Sequence, residues 1–376
     1  MWERLRNMLI KEFLQVLRDP KMRGIIFVMP LIQVMVFGYA VTTDVRDVPT
    51  AVLDFDQSVA SRELLSRFSA SGYFRFVAHT RDVSMANHLL DKGSVGAILR
   101  IDQGFGEDLR TGRTAKLQVI VDGTDSNTAG IVLDYTGRIA GKFSEKVLLA
   151  RFSRLRGAGP LPGTVELVSR AWFNENLESR NFYVPGVIAI IVMLITLMLT
   201  SMAIVREKEI GTIEQLLVSP ITPTEFILGK TLPFALIGYA DVLLVAVVGV
   251  FWFEVPIRGS LLLLLTATTF YLMTTLGIGL FISTVSRTQQ QAMMSVFFFY
   301  FPAVLLSGFM FPIANMPPLV QYLTYANPLR YFLVILRGIF LKGAGPATLW
   351  PQMAALLIMG LVTLFFTTRR FRKTMA

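Results

Sequence analysis

The sequence predicts an α-helical polytopic membrane protein with six transmembrane helices and an inserted α/β extracytoplasmic domain. Three observations predict it. The 376 residues are 53% hydrophobic and only 16% charged, whereas ordinary soluble domains carry about 25% charged residues. Six separate apolar runs approach the length that carries a helix across the hydrocarbon core, roughly 20 residues. One polar stretch, residues 42–182, is long enough to be a domain of its own. The chain has no cysteine, so no disulfide braces any part of it and thiol chemistry is excluded.

Residues 1–23 read as a cytoplasmic amphipathic interfacial helix. Leu5, Met8, Leu9, Phe13, Val16 and Leu17 share a face, with Arg4, Lys11 and Arg18 off it. The alternative is a plain helical extension of the first span. The basic head is long and no small-residue cleavage site follows, which argues against a signal peptide. The spans then fall at 24–41, 184–205, 231–253, 261–283, 292–311 and 350–368. With six spans both termini share a side. That side collects Arg4, Arg6, Lys11, Arg18, Lys21 and Arg23, then Arg206, Lys208, Lys230 and Arg287, then the basic tail 369–376. The opposite short loops hold Arg258, Arg330, Arg337 and Lys342. This asymmetry places both termini in the cytoplasm.

The outer domain alternates strand and helix patterns. Thr50–Phe55 reads as a buried strand, and Phe74–Ala78 as a strand of period two. Helical spacing runs through Leu64, Leu65 and Phe68, through "VSMANHLLDKG" with its glycine stop, and through Ser126 to Arg156. "VGAILRI" and "LQVIVDG" supply two more strands. Strands separated by helices predict α/β layers. "GAGPLPG" (157–163) reads as a linker, and 164–180 as a helix returning to the membrane. Between the last two spans, 312–348 contains Pro312, Pro317, Pro318 and Pro328 between short apolar pieces. It reads as re-entrant or interfacial helices on the outer side.

Searches for catalytic chemistry return little. "LGKT" at Leu228–Thr231 resembles the tail of a phosphate-binding loop, but Thr224 stands where the first glycine belongs. His79 and His88 are the only histidines, and their spacing does not put them on one helical face. "DGTDSN" (122–127) lacks calcium-loop spacing and reads as a turn capped by Asp125 or Ser126. These observations give an enzyme little support, and no cofactor or metal site is expected on this chain. Asp241 stands out inside the third span: it contacts substrate or a cation in a translocation path, or it bonds to Tyr239 or a neighbouring helix.

The segment 206–230, "REKEIGTIEQLLVSPITPTEFILGK", carries more information. Glu207–Leu217 reads as a short helix with Gly211 inside it, at a cost of about 1 kcal/mol against alanine. Its net acidity suits a protein partner better than an anionic lipid surface. This stretch is similar to the cytoplasmic coupling segment of type-2 ABC exporter permeases. So is the order of parts, and so are "VLDFDQSVASRELLSRFSASGYF" and "VIVDGTDSNTA" in the outer domain and "FNENLESRNFYVPG" before the second span. The resemblance implies a permease subunit without ATPase activity, in the bacterial inner membrane. It implies pairing with a second copy or a paralogue, and two separate ATPase subunits that carry ATP and magnesium. A periplasmic adaptor and membrane lipids complete the implied partners, with no nucleic acid. Export of amphipathic, drug-like or lipid-like compounds is the implied activity. Arg206, Glu207, Glu209, Gly211, Thr212 and Glu214 are the expected residues of coupling to the ATPase. The alternative function is a membrane receptor or sensor with a ligand-binding outer domain.

Overall fold

The computed structural model describes residues 2–18, 20–40, 45–156, 172–174, 178–211 and 222–375. Along the chain the first elements are α1 (Trp2–Arg18), α2 (Met29–Ala40), β1 (Val48–Asp54), α3 (Val59–Ala70), β2 (Phe74–His79) and α4 (Val83–Asp91). Then come β3 (Ala97–Ile101), α5 (Phe105–Thr111), β4 (Leu117–Val121), α6 (Ser126–Arg156) and α7 (Ser179–Ile210). The last are α8 (Pro223–Phe251), α9 (Leu261–Val285), α10 (Gln289–Leu305), α11 (Pro318–Thr324), α12 (Pro328–Arg337) and α13 (Pro346–Met375). Two compact units result: a helical bundle, Met1–Thr42 with Arg170–Ala376, and a sheet-containing unit, Thr43–Ser169. The chain is thus an α-helical membrane protein with a sheet-containing extracytoplasmic region. The expected linker 157–163 and most of the expected return helix lie outside the described residues.

Among the described residues, four helices are long and apolar enough to cross a membrane: α7, Glu225–Phe251 of α8, α9, and Pro346–Arg370 of α13. The expectation of six full-length spans is therefore met only in part. The first expected span is a shorter apolar helix, Gly24–Tyr39, which opens with a π-helical turn over Gly24–Val28. Pro30 has no N–H for the carbonyl four residues back, and the wide turn re-pairs the backbone, with Met29 donating to the Gly24 carbonyl. The fifth, expected over 292–311, stops at Leu305. There the Ser307 N–H turns to the Val304 carbonyl, and the vacated Ala303 carbonyl accepts from Asn327 Nδ2 at 2.7 Å.

Helix α7 is the axis of the bundle, packed against α2, α8, α9, α10 and α12. Val184–Val205 carries no charged residue, and a helix apolar all round belongs inside protein or lipid. Lipid offers no hydrophobic drive for helix association, so small residues and hydroxyls do the joining. A Cβ added at Gly279 would lie 2.9 Å from Thr200 Cβ and 3.3 Å from the Leu197 carbonyl oxygen. Thr196 Oγ1 bonds Thr275 Oγ1 at 3.1 Å, and the Tyr271 hydroxyl donates to the Ala189 carbonyl at 3.0 Å.

In the other unit the strand order is β2-β1-β3-β4. Central β1 runs parallel to β2 and β3, and β4 closes one edge antiparallel to β3. Strand β1 feeds both faces, which is why it reads as a near-continuous apolar run. Val48 and Val52 pack with Leu64, Leu65 and Phe68 of α3 and Phe143 of α6; Ala51 and Leu53 pack with Ala86 of α4. Asp125 caps α6, accepting from the Thr128 N–H at 3.3 Å.

Candidate functional site

The apolar run of α7 ends at Val205, yet the helix continues to Ile210. Arg206–Ile210 are therefore the last turn of α7 and not the start of a separate helix, as the sequence suggested. Gly211 takes φ +82°, where a side chain would be strained, and stops the helix with its N–H on the Lys208 carbonyl. It is a terminator, not an interior residue. Thr212 and Glu214 lie outside the described residues. The far end of the expected segment also changes role. Thr222 caps α8 and Glu225 returns its carboxylate to the Thr222 N–H at 2.8 Å, with Pro223 in the first turn. Residues 223–230 are thus the first two turns of α8.

These two helix ends meet α1. Lys230 Nζ donates to Glu12 Oε1 at 2.6 Å and to Glu207 Oε1 at 2.8 Å, and Lys230 is 1% exposed. Glu12 and Glu207 are buried as well. Lys11 Nζ, from the rim, reaches the same Glu207 oxygen at 3.2 Å. Met8 lies over Gly229, where a Cβ would come within 2.5 Å of its sulfur, so α1 seats directly on the α8 backbone. One ammonium thus holds carboxylates from two other helices. Removing one partner of such a buried set strands the remaining charge, at about 3–5 kcal/mol.

The neighbouring candidates surround this cluster. Arg206 lines a cavity of about 20 Å³ with Glu12, Lys230 and Gln289, room for a single water. Glu209 is exposed and accepts from the Gln289 N–H at 3.1 Å, which ties the last turn of α7 to the start of α10. Lys208 Nζ reaches back to the Ser283 carbonyl at 3.2 Å at the end of α9. Asp241 lies elsewhere, within the α8 span, 2% exposed, and its Oδ2 has no hydrogen-bond partner among the described residues. Tyr239 does not supply one; its hydroxyl pairs with Thr269 Oγ1.

Sequence reading singled out neither Glu12 nor Lys230. A signal for each exists. Glu12 falls at helical spacing between Met8 and Val16, inside the apolar stripe of α1. Lys230 interrupts an apolar helix behind an N-terminal capping sequence. An ionisable residue on an apolar face needs a partner, but nothing local says that the two find each other across 218 positions.

Residues 21–369 match the family model described as ABC-2 family transporter protein. The chain is 35% identical to the "Probable multidrug ABC transporter permease YbhR" of Escherichia coli (strain K12) over 363 residues, 96% of each chain. It is 34% identical to YbhS of the same strain, also titled a probable multidrug ABC transporter permease, over 93% of this chain and 91% of that one. It is 32% identical to that strain's "Inner membrane transport permease YhhJ", over 98% of this chain and 96% of that one. ABC transporter architecture implies a partner ATPase subunit. The chain belongs to the ABC-2 family, as a non-catalytic, multi-pass inner-membrane permease subunit that moves substrates across the membrane.

Proposed function

We propose that this permease is half of an exporter that moves amphipathic, drug-like or lipid-like compounds outward. In this reading α2, α7, α8, α9, α10 and α13 make six crossings, with both termini cytoplasmic and the sheet unit outside. A second copy or a close paralogue completes the pair, two ATPase subunits dock from the cytoplasm, and a periplasmic adaptor receives the cargo. The titles of YbhR and YbhS, with the word multidrug, support the choice of cargo class. The observation that carries the mechanism is the buried Glu12–Lys230–Glu207 cluster.

ATP-driven closure of the partner displaces α1 and the segment from Arg206 through Gly211, Thr212 and Glu214. Lys230 ties that displacement to α7 and α8, so the spans rock as rigid pieces. The coupling is as large as the partner's difference in affinity for the two states. Glu209 passes the motion to α10 through Gln289. Asp241 sits in the translocation path and meets cargo when the bundle opens. The test is ATP hydrolysis by the purified complex across a panel of amphipathic compounds. Stimulation that is lost in Glu207→Ala with Glu209→Ala supports the reading; hydrolysis indifferent to every compound overturns it. Sidedness is tested in the cysteine-free chain. An impermeant maleimide on intact cells labels Val77→Cys and spares Glu209→Cys, and the reverse pattern contradicts the topology.

A further inference from the structure

We propose that the sheet unit binds an amphipathic anion in a cleft at the carboxyl ends of β1 and β2. Crevices outside the carboxyl ends of parallel strands are where open α/β sheets take ligands. This one has a volume of about 800 Å³, in the range of small-molecule sites. Val52, Leu65 and Phe76 give it an apolar floor, and Arg62, His79 and Arg81 give it a basic rim.

Two features mark it as built. The first is backbone. Strand β2 pairs Thr50 with Phe76 but then Ala51 with Ala78 and Val52 with His79, so one extra residue bulges from β2. In a regular strand residues three apart point to opposite faces. The bulge cancels that alternation and turns His79 onto the face of Phe76, with their ring centroids 5.6 Å apart. The second is charge. In this unit Arg67, Arg100, Arg110, Arg113 and Arg138 each pair with a carboxylate, while Arg46, Arg75 and Arg151, like the two arginines of the cleft, have none among the described residues. Arg62 donates Nε to the Ser58 carbonyl, and neither it nor Arg81 has an acidic partner among the described residues. The acid at the rim, Asp54, is engaged from inside: it accepts from the Asp56 and Gln57 N–H groups and from Ser61 Oγ at 2.8–3.1 Å. Two guanidiniums over an apolar floor fit a carboxylate, sulfonate or phosphate head on an alkyl or ring body.

The test uses the full-length chain in phosphatidylcholine nanodiscs, with 11-(dansylamino)undecanoate as the fluorescent probe and empty nanodiscs subtracted. Saturable binding is expected, weakened about tenfold or more in Arg62→Gln with Arg81→Gln, because a charged head loses both cations. Ser66→Trp fills the cleft from an exposed position while both arginines keep their charge, and is expected to weaken binding as much. Arg110→Gln with Arg113→Gln is expected to change nothing. Repeating the titration with phosphatidylglycerol in the disc separates the sources. Probe affinity lowered only in the wild type assigns the cleft to lipid headgroups, and unchanged affinity assigns it to free compounds. Equal binding of the methyl ester, full affinity in either cleft variant, or an equal loss in the distal pair overturns the proposal.

Discussion

In the helical bundle, the Lys230 side chain is 2% exposed and its partners Glu12 and Glu207 are 3% and 7% exposed. In the sheet unit, Glu63 is 42% exposed and its partners Lys146 and Arg67 are 60% and 32% exposed. In both, one ion bridges two of the opposite sign, and in the bundle Lys11 adds a second cation to Glu207 from the rim. Water screens the second set and leaves each member replaceable. Nothing screens the first, so the three helices that supply it are bound to one another's position. Similar contact lengths, 2.6–3.4 Å, thus serve a joint in one unit and surface decoration in the other.

The largest expected effect comes from deleting one cation in each unit. Lys230→Met takes the buried cation from Glu12 and leaves Glu207 to the half-exposed Lys11, and is expected to cost about 3–5 kcal/mol of stability, read as a fall in the unfolding midpoint of the purified chain. Lys146→Met in the sheet unit is expected to cost under about 1 kcal/mol. Equal losses would break the contrast. A smaller effect tests the bundle's packing apart from its charge. Gly279→Leu drives a side chain into Thr200 and the Leu197 carbonyl and is expected to cost about 1–3 kcal/mol, read in the same melt.

The smallest effect is in pH. Burial pushes the Asp56 carboxyl up, but hydrogen bonds from Ser58 and the Gly106 and Gly104 N–H groups outweigh it and hold it below its ordinary value. The Lys146 ammonium, by hydrogen bond and charge, holds Glu63 low as well. A carboxylate depressed by folding contributes its stability above its unfolded pKa, about 4, and loses it as pH falls through the folded value. The sheet unit is therefore expected to be unchanged from pH 7 to about 5 and to weaken progressively below pH 4. Tryptophan-independent circular dichroism of the strands checks this. A loss setting in above pH 6 would point to another group.

The four long spans were legible because hydropathy is a local property: Val184–Val205 can only be a buried helix. The sheet unit was legible from period and punctuation, down to the turn at Asp125. Two misreadings have a common origin. The end of the apolar run at Val205 puts Gly211 inside a new helix, although Arg206–Glu209 are good helix formers that carry α7 one turn further. The capping sequence Thr222-Pro223-Thr224-Glu225 was in plain view, but hydropathy drew the boundary at Thr231. What no local pattern announces is the pairing of Glu12 with Lys230 or the bulge that turns His79. Both are settled by contacts distant in sequence.

In the proposed mechanism Lys230 makes α1, α7 and α8 move together, and exchanging the charges probes that joint. Compound-stimulated ATP hydrolysis by the purified complex should vanish in Lys230→Gln. It should return in large part when Glu12→Lys is combined with Lys230→Glu, which restores the α1–α8 ion pair with its charges exchanged and leaves Lys11 at Glu207. Wild-type stimulation in Lys230→Gln, or a double variant no better than it, would contradict the account.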